Sequence, residues 1–283
     1  MPVRKVILIT GATGGIGRAT SIAFAKTGQY DLALHYNAAS QETRDDLLSN
    51  IISASPTPDV MVHFFEADMG NYDSVRKLHE DVTDTFNKVD VLFNNAGAVL
   101  GHQGTQNLAD VPIDIFEQTW RVNTGSGILL TQLCLPDMEK QGWGRIIFDS
   151  SVAAFTGGFV GPHYASSKSA QHGFVHWLAN SVAKKGITVN AVAPALITGT
   201  TMMGSAEDEE TEKRLAQSKY MHAYLLVVKW RGFQVLNADV LFVGLPVGRL
   251  GRPEEIAETV LWMVNTAYVT NKVITIDGGM YPY

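Results

Sequence analysis

Tyr164 and Lys168 lie four residues apart in the segment Tyr164-Ala165-Ser166-Ser167-Lys168, so on a helix they share one face, a single turn apart. A free phenol titrates near ~10 and is a poor proton donor or acceptor at neutral pH. A neighbouring ammonium favours the phenolate and is expected to lower that value. A tyrosine tuned in this way can give a proton to the alkoxide that develops as hydride reaches a carbonyl carbon. Ser151 stands thirteen residues before Tyr164. A hydroxyl there can hydrogen-bond the same oxygen and steady its charge in the transition state, with Ser150 as the neighbouring alternative. Taken alone, a Tyr-x-x-x-Lys spacing recurs by chance and a loop serine is usually a turn residue, so the surroundings decide.

Thr10-Gly11-Ala12-Thr13-Gly14-Gly15-Ile16-Gly17 follows an apolar run and opens a helical pattern. Glycines permit a tight turn and let the backbone approach a diphosphate closely. The helix start then offers unpaired N–H groups and a positive dipole end to that anion. Strand before and helix after is the context a dinucleotide cradle requires. The next strand closes on His35-Tyr36-Asn37, where many NAD-binding folds carry a carboxylate for the adenosine ribose. Asp31 lies at the wrong end of that strand. With Asn37 in place a 2′-phosphate is not repelled, which tilts the expected cofactor to NADP, with NAD possible. Arg18 and Arg44 are the candidates to meet the phosphate.

The elements that must position these groups read as alternating strands and helices. Candidate strands are Lys5–Thr10, Leu32–Tyr36, Val60–Glu66, Val89–Asn94, Gly144–Asp149, Ile187–Val192 and Val273–Ile276. Their continuous apolar runs suit parallel strands covered on both faces. Helix-length segments between them include Gly15–Thr27, Ser74–Asn87, Ile113–Lys140 and Ala165–Lys184. This alternation implies right-handed crossovers and an α/β fold, a Rossmann-type doubly wound parallel sheet. Residues 1–283 read as a single domain.

Composition narrows the partners. A formal charge of −6 argues against nucleic acid, because phosphate binding wants a basic face. The single cysteine, Cys134, allows no intrachain disulfide and reads as a small buried hydrophobe. The run Val6–Ile9 ends at Thr10-Gly11, too short for a signal segment, and no stretch reaches the ~18 apolar residues of a membrane span. The expected location is cytoplasmic. No metal is called for.

The motifs together resemble the short-chain dehydrogenase/reductase family over residues 3–281. The matching elements are Thr10-Gly11-x-x-x-Gly15-Ile16-Gly17, Asp68, Asn94-Asn95-Ala96-Gly97, Asn123, Ser151, Tyr164 with Lys168, Pro194 and Asp277-Gly278-Gly279. The resemblance implies a catalytic set of Asn123, Ser151, Tyr164 and Lys168, with Asn123 helping to hold a water that relays protons to Lys168. Lys168 would also bind the nicotinamide ribose. Asp68 and Met69 would meet the adenine, Asn95 would line the cofactor or tie strands together, and Ile197 and Thr198 would contact the nicotinamide amide. Ala195 departs from the family's usual glycine after the proline. Asn271 replaces another common glycine, and Gly14 stands where NADP-dependent members often carry Arg or Lys.

Within the family the chain is most similar to 3-oxoacyl-[acyl-carrier-protein] reductases, through Gly186–Asn190, Pro246–Gly251 and Val273–Gly279, stretches that sugar and polyol dehydrogenases share. The implied function is NADP-dependent reduction of a 3-oxoacyl thioester in fatty acid biosynthesis, by a homotetramer built on the two long helices and the last strand. Lys184 and Lys185, with Lys140, are candidates for docking an acidic carrier. A sugar, polyol or secondary-alcohol dehydrogenase is the alternative, and a dinucleotide-sensing protein is the non-enzymatic one. Residues 219–244 do not fit the family pattern. They read either as a lid extension over an apolar substrate or as an insertion without a selected role.

Overall fold

The computed structural model describes residues 4–105, 107–200, 202 and 245–281. Seven strands emerge where the apolar runs lie: β1 (Lys5–Ile9), β2 (Tyr30–Tyr36), β3 (Val62–Glu66), β4 (Val91–Asn94), β5 (Gly144–Asp149), β6 (Ile187–Pro194) and β7 (Lys272–Ile276). They form one sheet of order β3-β2-β1-β4-β5-β6-β7, parallel throughout. Every residue of β4, β5 and β6 is buried, which is why these segments carry apolar residues at consecutive positions rather than alternate ones. After β3 the chain crosses back to pair β4 with β1. At such a reversal the loops beyond the strand C-termini diverge and a crevice opens.

Helices cover both faces: α1 (Gly15–Ala25), α2 (Gln41–Ala54), α3 (Tyr72–Phe86), α4 (Ile113–Trp120), α5 (Ser126–Gln141), α6 (Ala153–Thr156), α7 (Pro162–Val182) and α8 (Pro253–Asn265). Strand side chains alternate between two cores. Leu8, Leu92, Ile146 and Phe148 pack with Leu130 and Met138 of α5 and Val175 and Leu178 of α7. Ile7, Ile9, Phe93 and Ile147 pack with Phe24 of α1 and Ile256 and Val260 of α8. Cys134 is buried in the first core, and burial pushes its thiol pKa up.

Several boundaries differ from expectation. The single helix expected over Ile113–Lys140 is divided by a π-helical turn at Arg121–Gly125. A close tertiary contact lies at the break. Gly125 sits so close to Tyr72 that a Cβ would fall 2.1 Å from its hydroxyl. α7 begins at Pro162, whose fixed φ and missing N–H suit a first helical turn. β6 runs on to Pro194, where a ladder to β7 continues. Asn271 has φ of +64°, a left-handed conformation asparagine tolerates, which accounts for its standing where glycine is common. The segment 219–244 lies outside the described residues. Among the described residues no helix is long and apolar enough to cross a membrane, and no group of His, Cys, Asp and Glu could hold a metal ion.

Candidate active site

The glycine turn is held from three sides. Thr10 Oγ1 accepts from the amides of Asn95 and Ala96, both at 2.9 Å. Asn95 Nδ2 donates to the carbonyls of Thr10 (2.7 Å) and Gly11 (3.1 Å). His35, one strand over, accepts from the Gly11 amide through Nδ1 at 2.9 Å while its Nε2 lies 3.0 Å from the Ala67 carbonyl. A carbonyl only accepts, so Nε2 carries the proton. Gly11 has φ of +65°, which favours glycine. A Cβ on Gly17 would fall 2.3 Å from Gly11 O, and one on Gly15 would fall 2.3 Å from Gly199 O. The N-cap of α1, Gly14, brings no side-chain cap, and its first turn holds no acid. The amides there meet no acid in their own turn, which suits an anion.

His35 is 1% exposed, and burial pushes its pKa down to about 4 from about 6.5 when unfolded. The unfolded chain therefore binds the proton first. The stability that neutral His35 contributes is present above pH ~6.5 and is lost as pH falls toward about 4. Urea unfolding at two pH values checks this. From pH 7 to pH 5 the wild type should lose about 2 kcal/mol more than His35→Asn, in which every other titrating group is shared. Equal losses would show that the imidazole is not buried neutral.

Beyond the turn lies a cleft of about 1150 Å³. At one end it is lined by Gly11, Thr13 and Gly14–Gly17, with Asn37, Asp68, Met69 and Asn95 beside them. At the other end are Ser151, Tyr164, Lys168 and Ile197. Two of the expected cofactor residues do not line it. Ala12 is wholly buried in the core, and the Thr198 amide donates to Gly251 O at 3.0 Å. Arg44 is not among the lining residues; it stacks over the Tyr36 ring at 4.4 Å and donates to Ala39 O at 2.5 Å, which keeps its guanidinium at the end of β2. Arg18 is paired with Asp46.

Tyr164 and Lys168 both enter the cleft from the first turns of α7. Tyr164 is 6% exposed, and the Ser151 and Tyr164 side chains are hydrogen-bonded. Ser150, the alternative, turns its hydroxyl to His172 Nε2 (2.7 Å) and Lys168 O (3.3 Å). Lys168 Nζ lies 5.8 Å from the Tyr164 ring centroid and donates to the Asp149 carbonyl at 2.5 Å. This arrangement corrects the expectation that the lysine lowers the phenol pKa. Burial raises the Tyr164 pKa, the Asp149 carboxylate raises it further, and the Ser151 hydrogen bond opposes them. Burial lowers Lys168 against the pull of Asp149. Asp149 itself is pushed up to about 6 by burial, with Lys168 opposing.

Asn123 sits one layer behind, within the π turn. Its side chain accepts from the Ala98 amide (2.7 Å) and donates to Ala98 O and Ser167 Oγ (both 3.0 Å). Its carbonyl accepts from Gln171 Nε2 at 2.6 Å. A Cβ on Gly97 would stand 3.3 Å from Lys168 Nζ and 3.5 Å from Asn123 Oδ1, so the glycine keeps that space open. Sequence reasoning missed His35, Asp149 and Gln171. The signal for the first two was a titratable residue at or next to the C-terminal end of a strand.

Residues 5–211 match the family model described as short chain dehydrogenase. The chain is 30% identical over 280 residues to an L-rhamnose 1-dehydrogenase (NAD(P)(+)) of Sphingomonas sp., covering 98% of this chain and 96% of the relative. It is also 30% identical over 280 residues to the 3-oxoacyl-[acyl-carrier-protein] reductase FabG of Aquifex aeolicus, covering 98% and 97%. Among solved structures, a doubly substituted Serratia marcescens short-chain dehydrogenase/reductase superposes with a TM-score of 0.76 at 26% identity, covering 99% of each chain.

Proposed function

The chain belongs to the short-chain dehydrogenase family and is an NAD(P)-dependent oxidoreductase, and from that premise we propose that it reduces a 3-oxoacyl thioester or a similar apolar ketone with NADPH. The observation that carries the substrate class is the wall around Tyr164. Val152, Phe159, Val160, Leu196, Met202 and Met280 line the cleft that Tyr164 enters, and Val160 clusters with Tyr164 itself. An apolar wall suits an acyl or hydrocarbon substituent, whereas a sugar would leave several hydroxyls without partners there. Lys184 and Lys185 follow α7 directly, but Lys185 is paired with Glu139 at 2.6 Å. The ketone is thus better supported than docking of an acidic carrier.

In this reading the dinucleotide supplies the hydride. The amides at the start of α1 take its diphosphate, and Asp68 and Met69 the adenine. Lys168 holds the nicotinamide ribose, and Asn95 and Ile197 border the same channel. Asn37 leaves room for a 2′-phosphate and Arg44 offers it a cation. Ser151 polarises the substrate oxygen and Tyr164, a neutral phenol, gives it the proton. The enzyme works as a tetramer through α5, α7 and β7, consistent with Trp177 on α7 being 66% exposed.

The similarity to an L-rhamnose dehydrogenase carries the competing reading, oxidation of a sugar. A panel with both cofactors decides. The proposal expects kcat/KM for NADPH with acetoacetyl thioesters to exceed that for NADP⁺ with L-rhamnose by about tenfold or more. The reverse order would replace the substrate class. It also expects tighter binding of NADPH than NADH, and the opposite ranking would reject the role given to Asn37.

A further inference from the structure

Asp149 ends β5 two residues before Ser151. The strand alternation places it on the same face as Ile147, the face packed against α1 and α8, and it lines the cleft. The residue is 8% exposed. Its backbone carbonyl is taken by Lys168 Nζ, but its side-chain Oδ1 is buried without a hydrogen-bond partner. A buried carboxylate without its partners is costly, and nothing in the packing of β5 requires an acid where the preceding residues are Ile146, Ile147 and Phe148. The groups facing it explain part of its state. Lys168 favours its charge, and Tyr164 feels that charge in turn. Neither supplies the missing contact at Oδ1.

A dinucleotide with its diphosphate at the glycine turn and its reactive end beside Ser151 and Tyr164 must pass this carboxylate, which lies along the same cleft. The oxidised nicotinamide ring carries a positive charge and the reduced ring does not. We propose that Asp149 is a specificity-determining residue that favours the oxidised dinucleotide over the reduced one, its carboxylate, unpartnered at Oδ1, serving as counter-ion to the cationic ring. The inference rests on the dinucleotide reading above and adds a property of one side chain to it. On the enzyme this shifts the equilibrium toward the oxidised dinucleotide, which favours hydride transfer to the ketone and slows release of the oxidised product.

Calorimetric binding of NADP⁺ and NADPH to the wild type and to Asp149→Asn at pH 8 tests this without turnover. The variant keeps the shape and removes the charge. Its affinity for NADP⁺ should fall by about tenfold or more, the scale of a nearby buried charge, while its affinity for NADPH stays equal or rises. Asp149→Val, which needs no polar partner, should give the same split and covers the case in which the asparagine variant folds poorly. Parallel changes for both forms, or none, would overturn the inference while leaving the dinucleotide reading in place. A wild type that bound neither form would overturn both.

Discussion

Tyr164→Phe should lower kcat by about 10³-fold while leaving dinucleotide affinity nearly unchanged, because general acid–base groups of this kind contribute about 10²–10⁴-fold. The substitution removes one oxygen from a side chain that is 6% exposed and leaves the ring to pack with Val99, Ala153 and Val160. What is lost is the proton that the phenol gives to the substrate oxygen and its hydrogen bond with Ser151. Burial and Asp149 hold the phenol in its neutral form, the state that reduction consumes. Single-turnover oxidation of bound NADPH measures the loss directly, and calorimetry on the same samples measures the retained binding. Turnover within about tenfold of wild type would remove Tyr164 from the chemistry.

The second large effect is steric. Gly17 lies in the first turn of α1 with ordinary helical backbone angles, so an alanine there gains no conformational strain. The added Cβ would instead stand 2.3 Å from Gly11 O and 2.8 Å from Ala12 Cα. Both are backbone atoms held by Asn95, His35 and Thr10, and neither can rotate away. Overpacking usually costs about 1–3 kcal/mol, and a contact with fixed backbone belongs at the top of that range. Gly17→Ala should therefore weaken dinucleotide binding by about 100-fold and lower the thermal midpoint. Gly14→Ala is the control, since its Cβ would lie 3.4 Å from Gly11 O, ordinary contact. Fluorescence titration of both variants checks the contrast, and equal losses would mean that close packing of α1 onto the turn is not what the glycine secures.

The central strands were legible because burial on both faces leaves a run of apolar residues, and the partly exposed β3 and β7 still carry short apolar runs. The helix over Ile113–Lys140 was legible in length but not in continuity. Within the π turn at Arg121–Gly125, Gly125 packs against Tyr72, fifty-three residues before it, and no local pattern announces a contact of that separation. Around Tyr164, spacing, strand ends and the family resemblance together picked out the phenol, the ammonium and the Ser151 hydroxyl, which line one cleft. Those signals could not reveal which way the ammonium turns. Lys168 reaches the Asp149 carbonyl, and the field at the phenol is then set by burial and a carboxylate that sequence reasoning passed over. Asp149 and His35 escaped notice for one reason. Each lies at or next to the C-terminal end of its strand, and a polar residue there reads as the start of a loop until its burial is known.

The order of the sheet also constrains how the chain emerges from the ribosome. β1 is laid down first and acquires β2 and β3 on one side, while its other edge waits for Val91–Phe93. During that interval Ile7, Leu8 and Ile9 present unpaired, strongly apolar backbone, the kind of edge that recruits neighbouring nascent chains. Synthesis of β4 seals it. The later strands then extend the sheet outward in chain order to β7, so each new edge is exposed only until the following crossover is complete.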